Sequence, residues 1–99
     1  MLIIREIMHC KPGKVRPLVN KFLAMAKIAE EKGWGSMRVM TDVSGERFWT
    51  LVAEIEVQSL EEFMAIGQNE EDAKVFGEIM EGYHDLVEDG KREIYRIEG

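Results

Sequence analysis

Residues 47–57 constrain the fold more than any other segment, because their side chains alternate between two characters. One set is entirely apolar and consists of Trp49, Leu51, Ala53, Ile55 and Val57. The other set is mixed and consists of Phe48, Thr50, Val52, Glu54 and Glu56. Successive side chains of a strand point to opposite faces, so the alternation predicts a strand over 47–57. The apolar face of that strand must be covered by other elements.

The segments on either side supply those elements. Residues 2–10 (LIIREIMHC) are rich in isoleucine and end at Pro12-Gly13, which predicts a first strand. An apolar stripe at helical spacing then predicts a helix that has Pro17 in its first turn and stops at Gly33; the stripe is Val15, Leu18, Val19, Phe22, Ala26 and Ala29. The second and fourth strands are predicted at 35–42 and 91–97, and a hairpin turn at 43–46.

Capping signals predict two further helices. Ser59 with Glu62 is predicted to cap a helix that ends near Gly67. Asn69 with Asp72 is predicted to cap a second helix, which Gly90 ends. The first of these helices is short. The second is predicted to run through Glu88 on the stripe Ala73, Phe76, Met80, Tyr83 and Val87.

The order strand, helix, strand, strand, helix, strand predicts a single α+β domain over 1–99, a ferredoxin-like βαββαβ sandwich. Strands one and three then lie side by side in an antiparallel four-stranded sheet, and the helices cover one face. The other face would leave apolar side chains in water: Ile3, Ile7, Phe48 and Val52. Because such a patch on a small domain marks an interface, we expect a symmetric homodimer that packs sheet against sheet, as in an α/β barrel.

Charge and composition exclude several classes of partner. Lys and Arg number 13 against 19 Asp and Glu, a net charge of -6, so we expect no nucleic-acid partner. No apolar run approaches the roughly 18 residues of a membrane span, so we expect no membrane partner. Cys10 is the only cysteine, which excludes an internal disulfide framework and, with two histidines, makes a metal site a poor prospect. These features are typical of a cytoplasmic protein.

Two segments resemble a known group of proteins. Ile4-Arg5-Glu6 leading to Lys11-Pro12-Gly13-Lys14 resembles the opening of small dimeric α/β-barrel proteins, of the antibiotic-biosynthesis monooxygenase-like and NIPSNAP-like groups. The closing residues 90–96 (GKREIYR) are similar to their last strand. The resemblance implies a dimer of two four-stranded sheets, with a cavity between each sheet and its helices or inside the barrel.

The resemblance also implies a range of activities. Some relatives oxygenate aromatic polyketides without metal or flavin, and others cleave haem, isomerise or dechlorinate small rings. The haem-degrading branch uses an Asn on its first strand with a Trp and a His, and the first strand here has no Asn. We therefore expect a small-molecule ligand and no cofactor.

Two histidines are candidate catalytic bases, because the pKa of an imidazole lies near neutrality. His84 falls on the flank of the last predicted helix, beside Tyr83, where it either reaches a cavity or is a partly buried histidine bonded to backbone. His9 shares a strand face with Arg5, and Glu54 faces the same way on the neighbouring strand. These three side chains either bind and deprotonate a phenol or enol, or Arg5 and Glu54 form a structural ion pair across the dimer.

Arg5, Glu54, Tyr83 and Trp49 are the expected ligand-binding residues. Seven methionines favour an adaptable apolar pocket or an ordinary core. Cys10 is either activated by Lys11 or is a small apolar core residue. The leading hypothesis is a homodimer that binds a small, largely apolar organic molecule, with cofactor-independent oxygenation or isomerisation and His84 or His9 as base. The alternative is a non-catalytic dimeric assembly or regulatory module.

Overall fold

The computed structural model describes residues 1–99, and its four strands form one antiparallel sheet in the order β2-β3-β1-β4. The elements are β1 (Leu2–Cys10), α1 (Val15–Glu31), β2 (Met37–Thr41), β3 (Thr50–Val57), α2 (Leu60–Ala65), α3 (Glu70–Ile79), a 3-10 helix (Tyr83–Asp85) and β4 (Val87–Arg96). The first and third strands are central, as predicted, and the α+β ferredoxin-like fold is confirmed.

The face of the sheet that carries the helices, the helix side, holds the core. Register between β1 and β3 places Ile4 opposite Ile55 and Met8 opposite Leu51. The buried apolar residues come from β1, α1 and β3: Ile4, Cys10, Leu18, Val19, Phe22, Ala29, Leu51, Ala53, Ile55 and Val57. Of the apolar set predicted for 47–57, the four residues from Leu51 to Val57 therefore do face the helices, whereas Trp49 lies before the strand and is exposed. The opposite face, the open face, carries Ile3, Arg5, Ile7 and His9 of β1 and Val52, Glu54 and Glu56 of β3.

The capping signals are confirmed. The Ser59 hydroxyl accepts a hydrogen bond from the Glu62 N–H (3.2 Å), and Asn69 Oδ1 accepts one from the Asp72 N–H (2.7 Å). Each cap satisfies one of the backbone donors that the first turn of a helix leaves unpaired. Lys32, which follows α1, lies 3.3 Å from the buried Asp72 carboxylate and so ties α1 to the start of α3.

The last helix is shorter than predicted. It ends at Ile79, and Gly82 follows with a left-handed φ of 80°. Lys21 of α1 donates to the carbonyls of Ile79 (3.1 Å) and Glu81 (2.7 Å), which satisfies acceptors at this helix end. Met80 and Tyr83 still pack on the core. The predicted stripe is therefore confirmed only in part: Met80, Tyr83 and Val87 are partly buried against the core, but Ala73 is exposed, and Tyr83 and Val87 lie outside the helix.

The end of α3 leaves room for a longer last strand. Gly90, predicted to stop the helix, lies inside β4 opposite Met8. A Cβ at Gly90 would come 2.7 Å from the Met8 sulfur, so a larger residue here would require the flexible end of the Met8 side chain to move.

The third strand starts later than predicted, at Thr50, and the connection from β2 spans 42–49 instead of a tight turn at 43–46. Asp42 holds both ends of this loop: its N–H donates to the Thr50 carbonyl (3.2 Å), and its Oδ1 accepts from the Thr50 N–H (2.8 Å). Phe48 belongs to the loop and is 80% exposed, so its assignment to the sheet face was wrong. None of the helices has the length and apolar character needed to span a membrane.

Candidate functional site

A row of alternating charges crosses the open face from edge to edge. The register aligns Arg38 of β2 with Glu54 of β3, Glu54 with Arg5 of β1, and Arg5 with Glu93 of β4. Arg5 Nε donates to Glu54 Oε1 (2.8 Å), and Arg38 Nη2 donates to Glu54 Oε2 (2.7 Å). The two arginines therefore occupy both carboxylate oxygens.

This pairing decides what Glu54 can do. Only 6% of Glu54 is exposed, although it lies on the face without helices. The hydrogen bond from Arg5 holds the pKa of Glu54 below its usual range, and Arg38 acts in the same direction against the desolvation of burial. A carboxylate with a lowered pKa and both oxygens occupied is a poor base, so the arrangement favours a structural ion pair over proton abstraction by Glu54. The pair forms within one chain and not across a dimer as expected, because the register of β1 and β3 places Arg5 opposite Glu54.

The row continues to the edge strand β4. The Tyr95 hydroxyl donates to Glu93 Oε1 (2.8 Å), which lowers the pKa of Glu93 and raises that of Tyr95. The Arg5 guanidinium lies over the Tyr95 ring, 5.3 Å from its centroid. Arg5 is thus held between Glu54 and an aromatic face.

His9 lies on the same face of β1, four residues after Arg5. The sequence did not indicate its partner. Asp89 of β4 is opposite His9, with 2.5 Å between His9 Nδ1 and Asp89 Oδ1. Arg47 from the 42–49 loop also donates to Asp89 (3.1 Å), and the hydrogen bond from His9, followed by that from Arg47, lowers the pKa of Asp89. Arg47 Nη1 also lies 2.9 Å from His9 Nδ1, so Nδ1 faces both Asp89 and Arg47. Nε2 is then the ring nitrogen left free, and contacts at one nitrogen orient the ring of a histidine base.

Arg5, His9 and Glu54 line one open-face cavity of about 420 Å³. Its other walls come from Ile7, Met40 and Val52 of the sheet and from the 42–49 loop. The structure therefore brings together three of the predicted site residues. Within that group, the oriented His9 is the one suited to accept a proton.

A second cavity, of about 160 Å³, lies between the sheet and the helices; we call it the sheet–helix cavity. Eleven of its thirteen lining side chains are apolar, and they include Ile4, Phe22, Ala53, Ile55, Phe63 and Phe76. The two exceptions are Glu6 of β1 and Arg92 of β4, which face each other in the register and form an ion pair. This pair makes one end of the cavity polar.

His84 and Tyr83 lie on the helix side, in a groove of about 550 Å³ that runs beside β4. Their rings are in contact, with centroids 4.0 Å apart. Glu6 and Arg92 line this groove as well as the sheet–helix cavity, so the ion pair separates the two spaces. His84 and His9 thus lie on opposite faces of the sheet and do not belong to one site.

Trp49 and Cys10 lie apart from both groups, where they line a small depression with Pro12 and Phe48. Trp49 has a φ of 61°, and its carbonyl accepts a hydrogen bond from the Cys10 N–H (2.8 Å). Burial raises the pKa of the Cys10 thiol, and the nearby Asp42 adds to the effect. Cys10 is therefore a core residue and not an activated nucleophile.

The sequence did not identify three residues of these sites, Asp89, Glu6 and Arg92, for one reason. Their roles depend on the pairing of β4 with β1, which joins residues eighty or more positions apart. The alternation of β1 does place Glu6 among the side chains that face the helices, and a charge at such a position was the available signal. His, Cys, Asp and Glu side chains form no group of three or more arranged to hold a metal ion.

No family model matches the chain, and no curated protein matches it. Solved structures do. An uncharacterised NIPSNAP domain protein from Burkholderia xenovorans superimposes with a TM-score of 0.73 at 17% identity, over 99% of this chain and 95% of that one. A protein from Deinococcus radiodurans, provisionally assigned as an antibiotic biosynthesis monooxygenase, gives 0.75 at 12% identity, over 100% and 94%.

An antibiotic biosynthesis monooxygenase structure gives a TM-score of 0.72 at 11% identity and covers 100% of both chains. Likeness at such identities establishes the fold, which hosts many activities. The chain has the fold that NIPSNAP-like and antibiotic biosynthesis monooxygenase-like proteins share, and this confirms, at the level of fold, the resemblance of its opening and closing segments.

Proposed function

We propose that this protein binds a small, largely apolar organic molecule in the sheet–helix cavity. The apolar lining of that cavity is the observation that carries the proposal. An apolar cavity of roughly 150 Å³ stays dry and takes up a ligand of the size of benzene. A volume of about 160 Å³ therefore suits a compound with a single ring.

The polar end of the cavity is where chemistry would occur. His84 lies in the adjoining groove and is the proposed base for cofactor-independent isomerisation or oxygenation of a ring compound. His9 is the second candidate base, but only for a ligand held in the open-face cavity on the other side of the sheet, where Asp89 contacts its ring. Structural neighbours that carry the name monooxygenase support oxygenation as the reaction class.

A non-catalytic dimeric module is the second candidate function. It is favoured by the open face, where Ile3, Ile7 and Val52 flank the charged row and its charges are paired within the chain. A second copy of the chain would cover these apolar side chains. We propose the homodimer for both functions, and the cytoplasm as the compartment, because the lone buried thiol of Cys10 suits a reducing environment.

Toluene binding tests the cavity directly. We expect toluene to raise the melting temperature of the wild-type protein, since a ligand that binds only the folded state stabilises it. Ala53→Leu places a larger side chain in the cavity wall and should abolish the shift. The control is Ala24→Leu, an exposed position on α1, which should keep the shift. If toluene shifts the wild type and Ala53→Leu equally, the sheet–helix cavity is not the binding site.

A second experiment distinguishes an enzyme from a non-catalytic dimeric module. Protein purified from its own host should carry a small ring compound, detectable by native mass spectrometry, and His84→Ala should retain the compound but lose its turnover. A protein that carries no compound and shows no melting shift with toluene would favour the non-catalytic module.

A further inference from the structure

We propose that Glu6 is a recognition group for a ligand hydroxyl, so that the sheet–helix cavity selects a neutral single-ring compound of the phenol class. The inference rests on the proposed function, because it names the kind of molecule that the cavity takes. It starts from the one carboxylate in the cavity wall.

The Glu6–Arg92 pair is asymmetric. Arg92 Nε donates to Glu6 Oε1, and Glu6 Oε2 accepts no hydrogen bond from the chain. The Glu6 side chain is 23% exposed and that of Arg92 is 53% exposed, so the carboxylate lies deeper than the guanidinium. The Arg92 guanidinium also lies over the Phe63 ring, 5.0 Å from its centroid. Arg92 thus covers the polar end of the cavity, while Glu6 keeps one acceptor oxygen available.

This arrangement discriminates among ligands by charge. A carboxylic acid would bring a second negative charge next to Glu6, which costs binding energy in a poorly solvated site. A protonated amine could donate to Oε2, but it would bring a second positive charge beside the Arg92 guanidinium, which also costs binding energy. A neutral hydroxyl donates to the free Oε2 and displaces nothing, and a hydrogen bond to an ionised acceptor is roughly twice as strong as one between neutral groups.

The rest of the cavity fixes the body of the ligand. The aromatic side chains of Phe22, Phe63 and Phe76 line it, and aromatic rings pack favourably against one another. The groove beyond Arg92 adjoins the polar end of the cavity, because Glu6 and Arg92 line both spaces, so a ligand coming from that side enters past the ion pair. A ring that enters with its hydroxyl trailing would leave that hydroxyl beside Glu6.

The test compares benzene, phenol and benzoate by ligand-observed NMR titration. In the wild type we expect phenol to bind about tenfold tighter than benzene, and benzoate more weakly than phenol. Glu6→Met keeps the length of the side chain without its acceptors, and should bind benzene while losing the preference for phenol. The matched control, Glu56→Met, changes an exposed glutamate on the open face of β3 and should keep the preference.

The outcomes distinguish the role of Glu6 from the proposed binding of a ligand in the sheet–helix cavity. If the wild type binds benzene and phenol equally, the role of Glu6 is overturned and the proposed function stands. If it binds neither, both fall. Should Glu6→Met fail to fold, Glu6→Gln replaces it: the amide keeps a neutral acceptor, and a phenol preference undiminished in that variant would overturn the role of the carboxylate.

Discussion

The two faces of the sheet use the same strands for opposite purposes. On the helix side, Ile4 of β1 and Leu51 of β3 are buried beneath helices. On the open face, Arg5, one residue after Ile4, and Glu54, three residues after Leu51, form part of a charged row. The helix side is covered by helices of the same chain. On the open face, charged side chains pair with those of neighbouring strands, and the apolar side chains are left without a covering element. The comparison shows that a face can bury a carboxylate without helices, provided that neighbouring strands supply its partners.

The largest expected effect follows from covering the open face with a second copy. Val52→Asp would place an unpaired carboxylate in the interface, which is far more costly than a lost apolar contact. We expect a monomer or an unfolded chain, measured by sedimentation velocity at micromolar concentration. Val43→Asp, at a fully exposed loop position, should remain a dimer. A wild-type monomer, or a stable Val52→Asp dimer, would contradict the interface.

The helix side should respond to the loss of apolar volume. Leu51 is fully buried in the larger core cluster, so Leu51→Ala should lower the free energy of unfolding by about 2–5 kcal/mol. Leu23→Ala, at a half-exposed position on α1, should change it by less than about 0.5 kcal/mol. Urea denaturation measures both. Equal effects of the two substitutions would mean that Leu51 does not belong to the buried core.

The charged row should contribute less than the core. Glu54→Gln removes the charge shared by Arg5 and Arg38, and we expect a loss of about 1–3 kcal/mol, since both arginines remain partly in water. Glu56→Gln, on the same face but exposed, should change stability by less than about 0.5 kcal/mol. Urea denaturation at neutral pH makes the comparison, and a Glu54→Gln protein as stable as the wild type would show that the row adds nothing.

The contribution of Glu54 should also depend on pH. Its folded-state pKa is lowered from the ordinary value of 4.5, chiefly by the hydrogen bond from Arg5. The stabilisation is therefore complete above that ordinary value and is lost as the pH falls through the lower, folded value. The difference in unfolding free energy between wild type and Glu54→Gln should shrink steadily on acidification below about pH 4.5. A difference that is constant with pH would contradict the lowered pKa.

The smallest expected effects concern the place where α3 gives way to the edge strand. Gly82 has a left-handed φ of 80°, so Gly82→Ala should destabilise the protein by about 1–2 kcal/mol. Gly77 lies inside α3, where a new Cβ meets no neighbouring atom, so Gly77→Ala should stabilise by up to about 1 kcal/mol. Opposite signs in thermal melts would confirm that α3 ends before Gly82.

The candidate sites were predictable in part. Alternation along β1 and β3 was enough to place Arg5, His9 and Glu54 on one face, because strand periodicity is local. It was not enough for His84, whose position depends on a helix that stops early. Gly82 is one of many glycines, and only the docking of Lys21 against the carbonyls of Ile79 and Glu81 shows that the helix ends there.

The sequence by itself determined the order of the elements, two helix caps, the apolar stripe of α1 and which face of the central strands is buried. These depend on interactions between residues close in the chain, such as Asn69 with Asp72. Tertiary structure decided the partners of the charged side chains: Asp89 for His9, and Arg92 for Glu6. Both pairs join β1 to β4. The sequence around a charged residue does not indicate a partner that lies eighty or more residues away. Its partner is fixed only when the register of the sheet, set by the packing of the whole apolar side, brings the two strands together.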